Sequence, residues 1–299
     1  MINKPDVSFF HRSEERYEIK RVIVIGKSGF VGSELLLSLA ATDIEAIGIG
    51  REDVDLTSPT SITYLANVVR DTDIVVFASA DVPVKSLEQF ERNLSMLRNF
   101  LDGIKGKKLN QLVYISSDAV FADSEQPLTE KSPRGAENLH GLMHMVREIA
   151  LGNSEFMEIL CLLRPTTIYG AKDPHNSYGP CSFMRRAKRA EDIVLFGNGE
   201  EERDYVHISD VAAIVTRIIQ KRTKGALNLA SGEVHSFFEI AALTQEITKS
   251  KSRIASKPRS GPMPHNGYRP FDITNLKLAF PEFSPVSLKE GLNSMHNGH

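Results

Sequence analysis

The stretch Arg21-Val-Ile-Val-Ile-Gly26-Lys27-Ser28-Gly29-Phe30-Val31-Gly32 decides how the rest of the chain is read. Its opening residues are β-branched and apolar without alternation, the pattern of a strand buried on both faces. A Leu-rich stripe over 33–41 reads as a helix. Between them, three glycines at Gly-x-x-Gly-x-x-Gly spacing have separate tasks. The first permits a tight turn, the second lets backbone approach a pyrophosphate, and the third lets the helix sit close on the sheet. The helix N-terminus then attracts negative charge. Strand–turn–helix context gives such a pattern its specificity, so residues 26–32 are a candidate dinucleotide-binding turn.

Outward from that turn, apolar strand patterns at 44–49, 73–78, 111–116 and 158–163 alternate with helical patterns at 61–70, 87–104 and 139–151. Strands alternating with helices imply parallel βαβ units. The expected fold is therefore α/β: a Rossmann-type, doubly wound parallel sheet with a smaller C-terminal substrate-binding lobe. Residues 1–20 show little periodicity and read as an N-terminal arm, 21–165 as the dinucleotide-binding domain, and 166–299 mainly as the second lobe, with some elements returning to the first. In that lobe 193–196 and 226–230 read as strands, and 183–189, 209–220 and 236–249 as helices. Residues 197–204 read as a turn-rich loop, and the basic, proline-containing stretch 250–270 as a surface loop.

Composition sets the outer bounds. Among 299 residues, 36 Lys+Arg nearly balance 38 Asp+Glu, which gives no global pull toward nucleic acid or anionic membrane. Two Cys cannot staple a chain of this length. No apolar run approaches the ~20 residues that span a bilayer. Residues 1–20 are polar and mixed in charge rather than a secretory signal, so a cytoplasmic protein is expected.

Several further segments, in order, resemble the extended short-chain dehydrogenase/reductase family of nucleotide-sugar epimerases, dehydratases and reductases. They are the glycine turn with Phe30, Phe77-Ala78-Ser79-Ala80, Asn93, and Ile115-Ser116-Ser117-Asp118-Ala-Val-Phe121. Arg164-Pro165-x-x-Ile168-Tyr169-Gly170 and Gly197-x-Gly-x-x-x-Arg203-Asp-Tyr-Val-His207 continue the series, with closing elements over 271–292. The resemblance covers roughly residues 20–293. It implies an NAD(P)-dependent enzyme acting on a nucleotide-linked sugar. It assigns the cofactor to Gly26, Lys27, Ser28, Gly29, Phe30, Val31, Gly32, Asp55, Leu56, Ala78, Ser79, Ala80, Asn93, Ser116, Pro165 and Ile168. It assigns the substrate to Asp118, Tyr169, Arg203, His265 and Arg269. Family members often form dimers through helices of the Rossmann domain, including the one that here carries His140. Arg51 follows the second strand, where an acidic residue would accept from an adenosine ribose and an Arg can meet a 2′-phosphate. NADP is thus favoured over NAD, with Glu52 or Asp53 as the competing ribose partner.

The family's catalytic group is Tyr-x-x-x-Lys with a Ser or Thr. Ser117 falls at the Ser/Thr position, but His140-Gly141-x-x-His144-x-x-x-Glu148 places His140 where Tyr is expected and His144 where Lys is expected. Three readings stand. His140 can act as acid–base with His144 as its neighbour, because histidine titrates near neutrality. The protein can bind a dinucleotide or nucleotide sugar without turning it over, as a regulatory or structural partner. Or His140, His144 and Glu148, four apart on one helical face, can hold a metal. The first is preferred and no metal is expected.

Overall fold

The computed structural model describes residues 9–12 and 18–298. The chain runs through β1 (Phe10–His11), β2 (Val22–Ile25), α1 (Phe30–Ala40) and β3 (Ala46–Ile49). Then come α2 (Thr60–Val68), β4 (Ile74–Phe77), α3 (Leu87–Ile104) and β5 (Gln111–Ile115). Next are α4 (Leu139–Gly152), β6 (Leu160–Pro165), β7 (Thr167–Tyr169), α5 (Pro180–Lys188) and β8 (Ile193–Phe196). β9 (Glu202–His207), α6 (Ile208–Lys221), β10 (Thr223–Leu229), β11 (Val234–Ser236) and α7 (Phe237–Thr248) follow. The last elements are β12 (Ile254–Lys257), β13 (Tyr268–Arg269), α8 (Thr274–Ala279) and α9 (Leu288–Asn297).

Two compact units divide this chain. The first comprises residues up to Ala122 together with Glu130–Pro165 and Val211–Asn228. Its seven-stranded sheet has the order β1-β10-β6-β5-β4-β2-β3. From β3 to β6 the pairs are parallel. β2, β4, β5 and β6 are buried at every position, which is why they read as continuous apolar runs. Phe77 of β4 stacks on Phe100 of α3 with ring centroids 4.4 Å apart. Strand order reverses at β2, between β3 and β4. Ile25 is level with Ile49 on one side and Phe77 on the other, so three strands end together there. Ligands of open α/β sheets bind in such a crevice, beyond the carboxyl ends of the strands.

The second unit comprises Asp123–Thr129, Thr166–Asp210 and the chain from Leu229 onward. β9 is central to a four-stranded sheet, with β7, β11 and β13 all pairing to it. β8 and β12 form a separate parallel pair. Phe183, Tyr205, Phe237 and Leu292 lie in its apolar core.

Three sequence expectations are corrected here. Within the arm 1–20, Phe10–His11 is an antiparallel edge strand on β10; residues 1–8 and 13–17 lie outside the described residues. The surface loop 250–270 contains β12 and β13, each formed by tertiary pairing that its polar composition does not announce. The loop 197–204 gives way to strand at Glu202. No helix among the described residues is long and apolar enough to cross a membrane.

Candidate active site

In the first unit a cavity of about 400 Å³ opens at the ends of β2, β3 and β4. It brings together Gly26, Ser28, Gly29, Arg51, Asp55, Leu56, Ala78, Ser79 and Ala80, all identified from sequence. Gly26 has φ +107°, and a Cβ there would lie 3.0 Å from the Ser79 amide nitrogen. At Gly32 a Cβ would lie 2.1 Å from the Gly26 carbonyl oxygen, so the turn can close on α1 only without side chains. Phe30 and Val31 open α1, and its N-cap, Gly29, offers no side-chain acceptor to the first amides. Those amides are available to an anion.

The loop after β3 sorts its charges. Lys27 Nζ lies 2.7 Å from Asp53 and 3.3 Å from Glu52. Lys27 holds the Asp53 carboxyl below its usual range, and Asp53 also accepts from the Gly50 amide at 2.8 Å. Glu52 and Asp53 are therefore engaged by Lys27, whereas Arg51 stays exposed on the cavity wall. Asp55 accepts from the Thr57 amide at 2.9 Å and hydroxyl at 2.8 Å, a capping arrangement made while it lines the cavity.

Behind the cavity wall lies α4. Asn138 caps it by accepting from the Gly141 amide at 2.9 Å. A Cβ on Gly141 would lie 2.0 Å from the Ala119 carbonyl oxygen, so the first turn of α4 rests directly on the short 3₁₀ turn Asp118–Val120. Ser117 caps that turn, accepting from the Ala119 amide at 3.1 Å and donating to Asp118 at 3.3 Å. His140 and His144 meet edge to face, ring centroids 4.9 Å apart. His144 is only 5% exposed, and its Nδ1 lies 2.7 Å from the Tyr114 hydroxyl. Burial, then the charges of His140 and Arg147, push the His144 imidazole well below its ordinary value. A cation at this position, as the family's Lys would provide, is disfavoured.

Several residues expected at the site are engaged by neighbours in the fold. Glu148 is taken up by partners outside the histidine pair. It accepts from Ser116 at 2.7 Å and takes Arg164 in a bidentate pair at 2.8 and 2.7 Å. Glu148 is thus engaged by Ser116 and Arg164, and Ser116, expected at the cofactor, is buried against that pair. Asn93, also expected at the cofactor, is engaged by the loop after β4. It is fully buried, holding the Asp81 amide at 3.0 Å and the Asp81 carbonyl at 2.9 Å, and so fixes the loop that follows the cavity wall. Pro165 ends β6 and is buried outside the cavity lining.

The second unit holds the remaining expected residues. Ile168 lies in β7 on β9. Tyr169, expected at the substrate, lies in the core: it is 1% exposed, packs on His207 at 5.2 Å, and closes on Gly291, whose absent side chain makes room for its hydroxyl. Arg203 is bound by the Glu201 carboxylate and by the Pro264 carbonyl oxygen at 2.6 Å, and Arg259 joins Glu201 at 2.8 Å. His265, in left-handed backbone at φ 54°, and Arg269 share the Asp123 carboxylate. Burial and Arg269 lower the His265 imidazole.

A glycine turn at the switch point, a serine-capped turn after β5 and a helix resting on it make a recognisable set. The chain belongs to the NAD dependent epimerase/dehydratase family, matched over residues 22–230. Within the family it is 29% identical to a UDP-N-acetyl-alpha-D-glucosaminuronate decarboxylase of Bacillus cytotoxicus, over 91% of this chain and 95% of that one. It is 24% identical to a dTDP-4-dehydro-6-deoxy-D-allose reductase of a Streptomyces species, over 93% and 95%. The fold is shared with UDP-glucose 4-epimerase of Thermotoga maritima solved with UDP-glucose, at TM-score 0.82, 21% identity and coverage of 93% and 98%. It is shared too with a GDP-L-fucose synthetase of Naegleria fowleri bound to NADP, at TM-score 0.83, 16% identity and coverage of 96% and 95%.

Sequence reading missed Tyr114, Arg147 and Glu201. Tyr114 is hidden in an apolar strand, and Glu201 among three consecutive glutamates. Arg147 had a signal: it lies one turn beyond His144 on the helix face that also buries Met143 and Leu151.

Proposed function

We propose that this protein is an NAD(P)-dependent enzyme that reduces or epimerises a nucleotide-linked sugar by hydride transfer, with His140 in place of the usual tyrosine. The observation that carries the reading is the seating of α4: Gly141 on the Ala119 carbonyl puts His140 beside the turn capped by Ser117. The glycine cradle and the uncapped start of α1 fit a dinucleotide diphosphate, which side chains at Gly26 or Gly32 would obstruct. When bound, the dinucleotide supplies or accepts the hydride. His140 exchanges the proton of the reacting oxygen, which Ser117 positions. Arg51, exposed while Glu52 and Asp53 are held by Lys27, favours NADP. Arg203 and Arg269 offer planar donors to the nucleotide diphosphate.

The relatives act on UDP-, dTDP- and GDP-linked sugars, so the test is a panel of those nucleotides with 4-keto and 4-hydroxy sugars. NADPH binding is followed by fluorescence and turnover by absorbance. Turnover that His140→Ala abolishes supports the reading. Binding without turnover supports a non-catalytic partner instead, a role favoured by the neutral, buried His144 where a lysine would stand. Failure to bind any dinucleotide overturns both. Exposed Leu87 on α3 and Ile149 on α4 favour a homodimer through these helices, measurable by light scattering.

A further inference from the structure

Burying a full charge without a counter-ion is costly, so a protein that does it has arranged the surroundings to tolerate the charge. Arg147 is such a residue. It is fully buried on α4. Its Nη1 donates to the Ser79 carbonyl at 2.8 Å, and its Nη2 to the Asn93 carbonyl at 2.7 Å and to Asn93 Oδ1 at 3.1 Å. The guanidinium lies 5.2 Å from the centre of the Phe77 ring. Every one of these partners is neutral. The adjacent Glu148 is turned to Arg164 and Ser116. Ser79 also lines the cavity, so the charge lies immediately behind the cavity wall.

Tyr114 links this charge to the histidines. Its ring is buried in β5 and its hydroxyl lies 2.7 Å from His144 Nδ1. Burial pushes that hydroxyl far above its ordinary value, so it keeps its proton, while Arg147 acts on the oxygen in the opposite sense. A nearby cation turns the lone pairs of the phenol oxygen toward itself and the O–H away from itself. The O–H then donates to His144 Nδ1, and a neutral imidazole that accepts at Nδ1 carries its proton on Nε2.

We propose that Arg147 and Tyr114 are positioning residues that lock His144 as a neutral imidazole with its proton on Nε2, which leaves His140 as the member of the pair that exchanges protons. This rests on the reading of His140 as the acid–base group. A charged His144 only 4.9 Å away, ring to ring, would oppose protonation of His140; a neutral one does not. The groups that bear on His144 are His140 and Arg147 on its own helix and Tyr114 on β5, with Glu148 acting on Tyr114 from the next position. From α3, Arg147 meets only the neutral Asn93 and Met96 among the described residues.

The test is long-range proton–nitrogen NMR of the full chain with ¹⁵N-labelled histidine, titrated from neutral to acid pH. His144 is expected as a single Nε2–H tautomer that stays neutral well below the ordinary ~6.5. Tyr114→Phe, which keeps the ring, should mix the tautomers. Arg147→Met should move the His144 midpoint upward, and Arg147→Lys should largely restore it. A wild-type His144 protonated on Nδ1, or titrating at its ordinary value, overturns the proposal, as does a Tyr114→Phe spectrum unchanged at His144. If Arg147→Met does not fold, the Tyr114→Phe comparison decides alone. None of these signals requires turnover. An inactive enzyme with the expected tautomer sinks only the proposed function, and an active enzyme with the other tautomer sinks only this inference.

Discussion

Arg51 and Glu201 are the single side chains whose removal tests the proposed site most directly. Arg51 is exposed at the end of β3 while both acidic neighbours serve Lys27. A charge-assisted hydrogen bond is worth about 1.5–3 kcal/mol, so Arg51→Ala should lower affinity for NADPH by roughly tenfold or more. NADH affinity should change little; calorimetry with both nucleotides measures the ratio. Glu201 holds both Arg203 and Arg259, which a diphosphate must share or displace. Glu201→Gln keeps the shape and removes the charge. UDP is expected to bind several-fold tighter to the variant, and an unchanged affinity would mean that Arg203 does not meet the diphosphate. At this scale the sequence was legible where backbone makes the site: the glycine turn and residues 78–80 converge on one cavity. It was less legible for Ser116, Asn93 and Tyr169. Their motifs fall on buried residues that are bonded to or packed on neighbours, and a motif carries no record of those partners.

Among the elements, α4 carries the most weight in the proposed function, and it was legible to within a residue, as α3 was over its whole span 87–104. The expected span of α4, 139–151, differs from Leu139–Gly152 by one residue, because an Asn cap and a buried stripe along one face fix both ends. Its placement depends on Gly141. Gly141→Ala would drive a methyl group to 2.0 Å from the Ala119 carbonyl oxygen. Overpacking of this kind costs about 1–3 kcal/mol, so a lower melting temperature is expected together with weakened turnover as His140 shifts from the Ser117 turn. A variant with wild-type melting and activity would mean that α4 is not seated this closely. β1, β12 and β13 were not legible, since none carries the continuous apolar run that marks β8, which is no longer than β12, and their conformation comes from their partners.

For the molecule as a whole, pH is the most direct probe. Burial lowers the imidazoles of His144 in the first unit and His207 in the second. Both are neutral in either state above about pH 6.5, where they do not alter stability. Below it the unfolded chain takes up protons that the folded chain refuses, so stability falls with acidification. Denaturant midpoints from pH 8 to 5 should decline from about 6.5 downward. His144→Gln and His207→Gln together should flatten that slope; an unaltered slope would place its origin elsewhere. The α/β class could be read from alternating periodicities alone, but the membership of each unit could not, because periodicity carries no record of which distant segments meet.

That membership has a consequence for how such a protein can change. The chain passes from one unit to the other after Ala122, Thr129, Pro165, Asp210 and Asn228. No single cut releases either unit intact, and no contiguous exon-like block encodes the second. On the reading that Arg203 and Arg269 of the second unit hold the nucleotide sugar, a new preference cannot be acquired by exchanging a contiguous cassette. It has to accumulate as point changes scattered over three separate stretches of the gene, each tolerated by the α/β sheet through which the chain keeps returning.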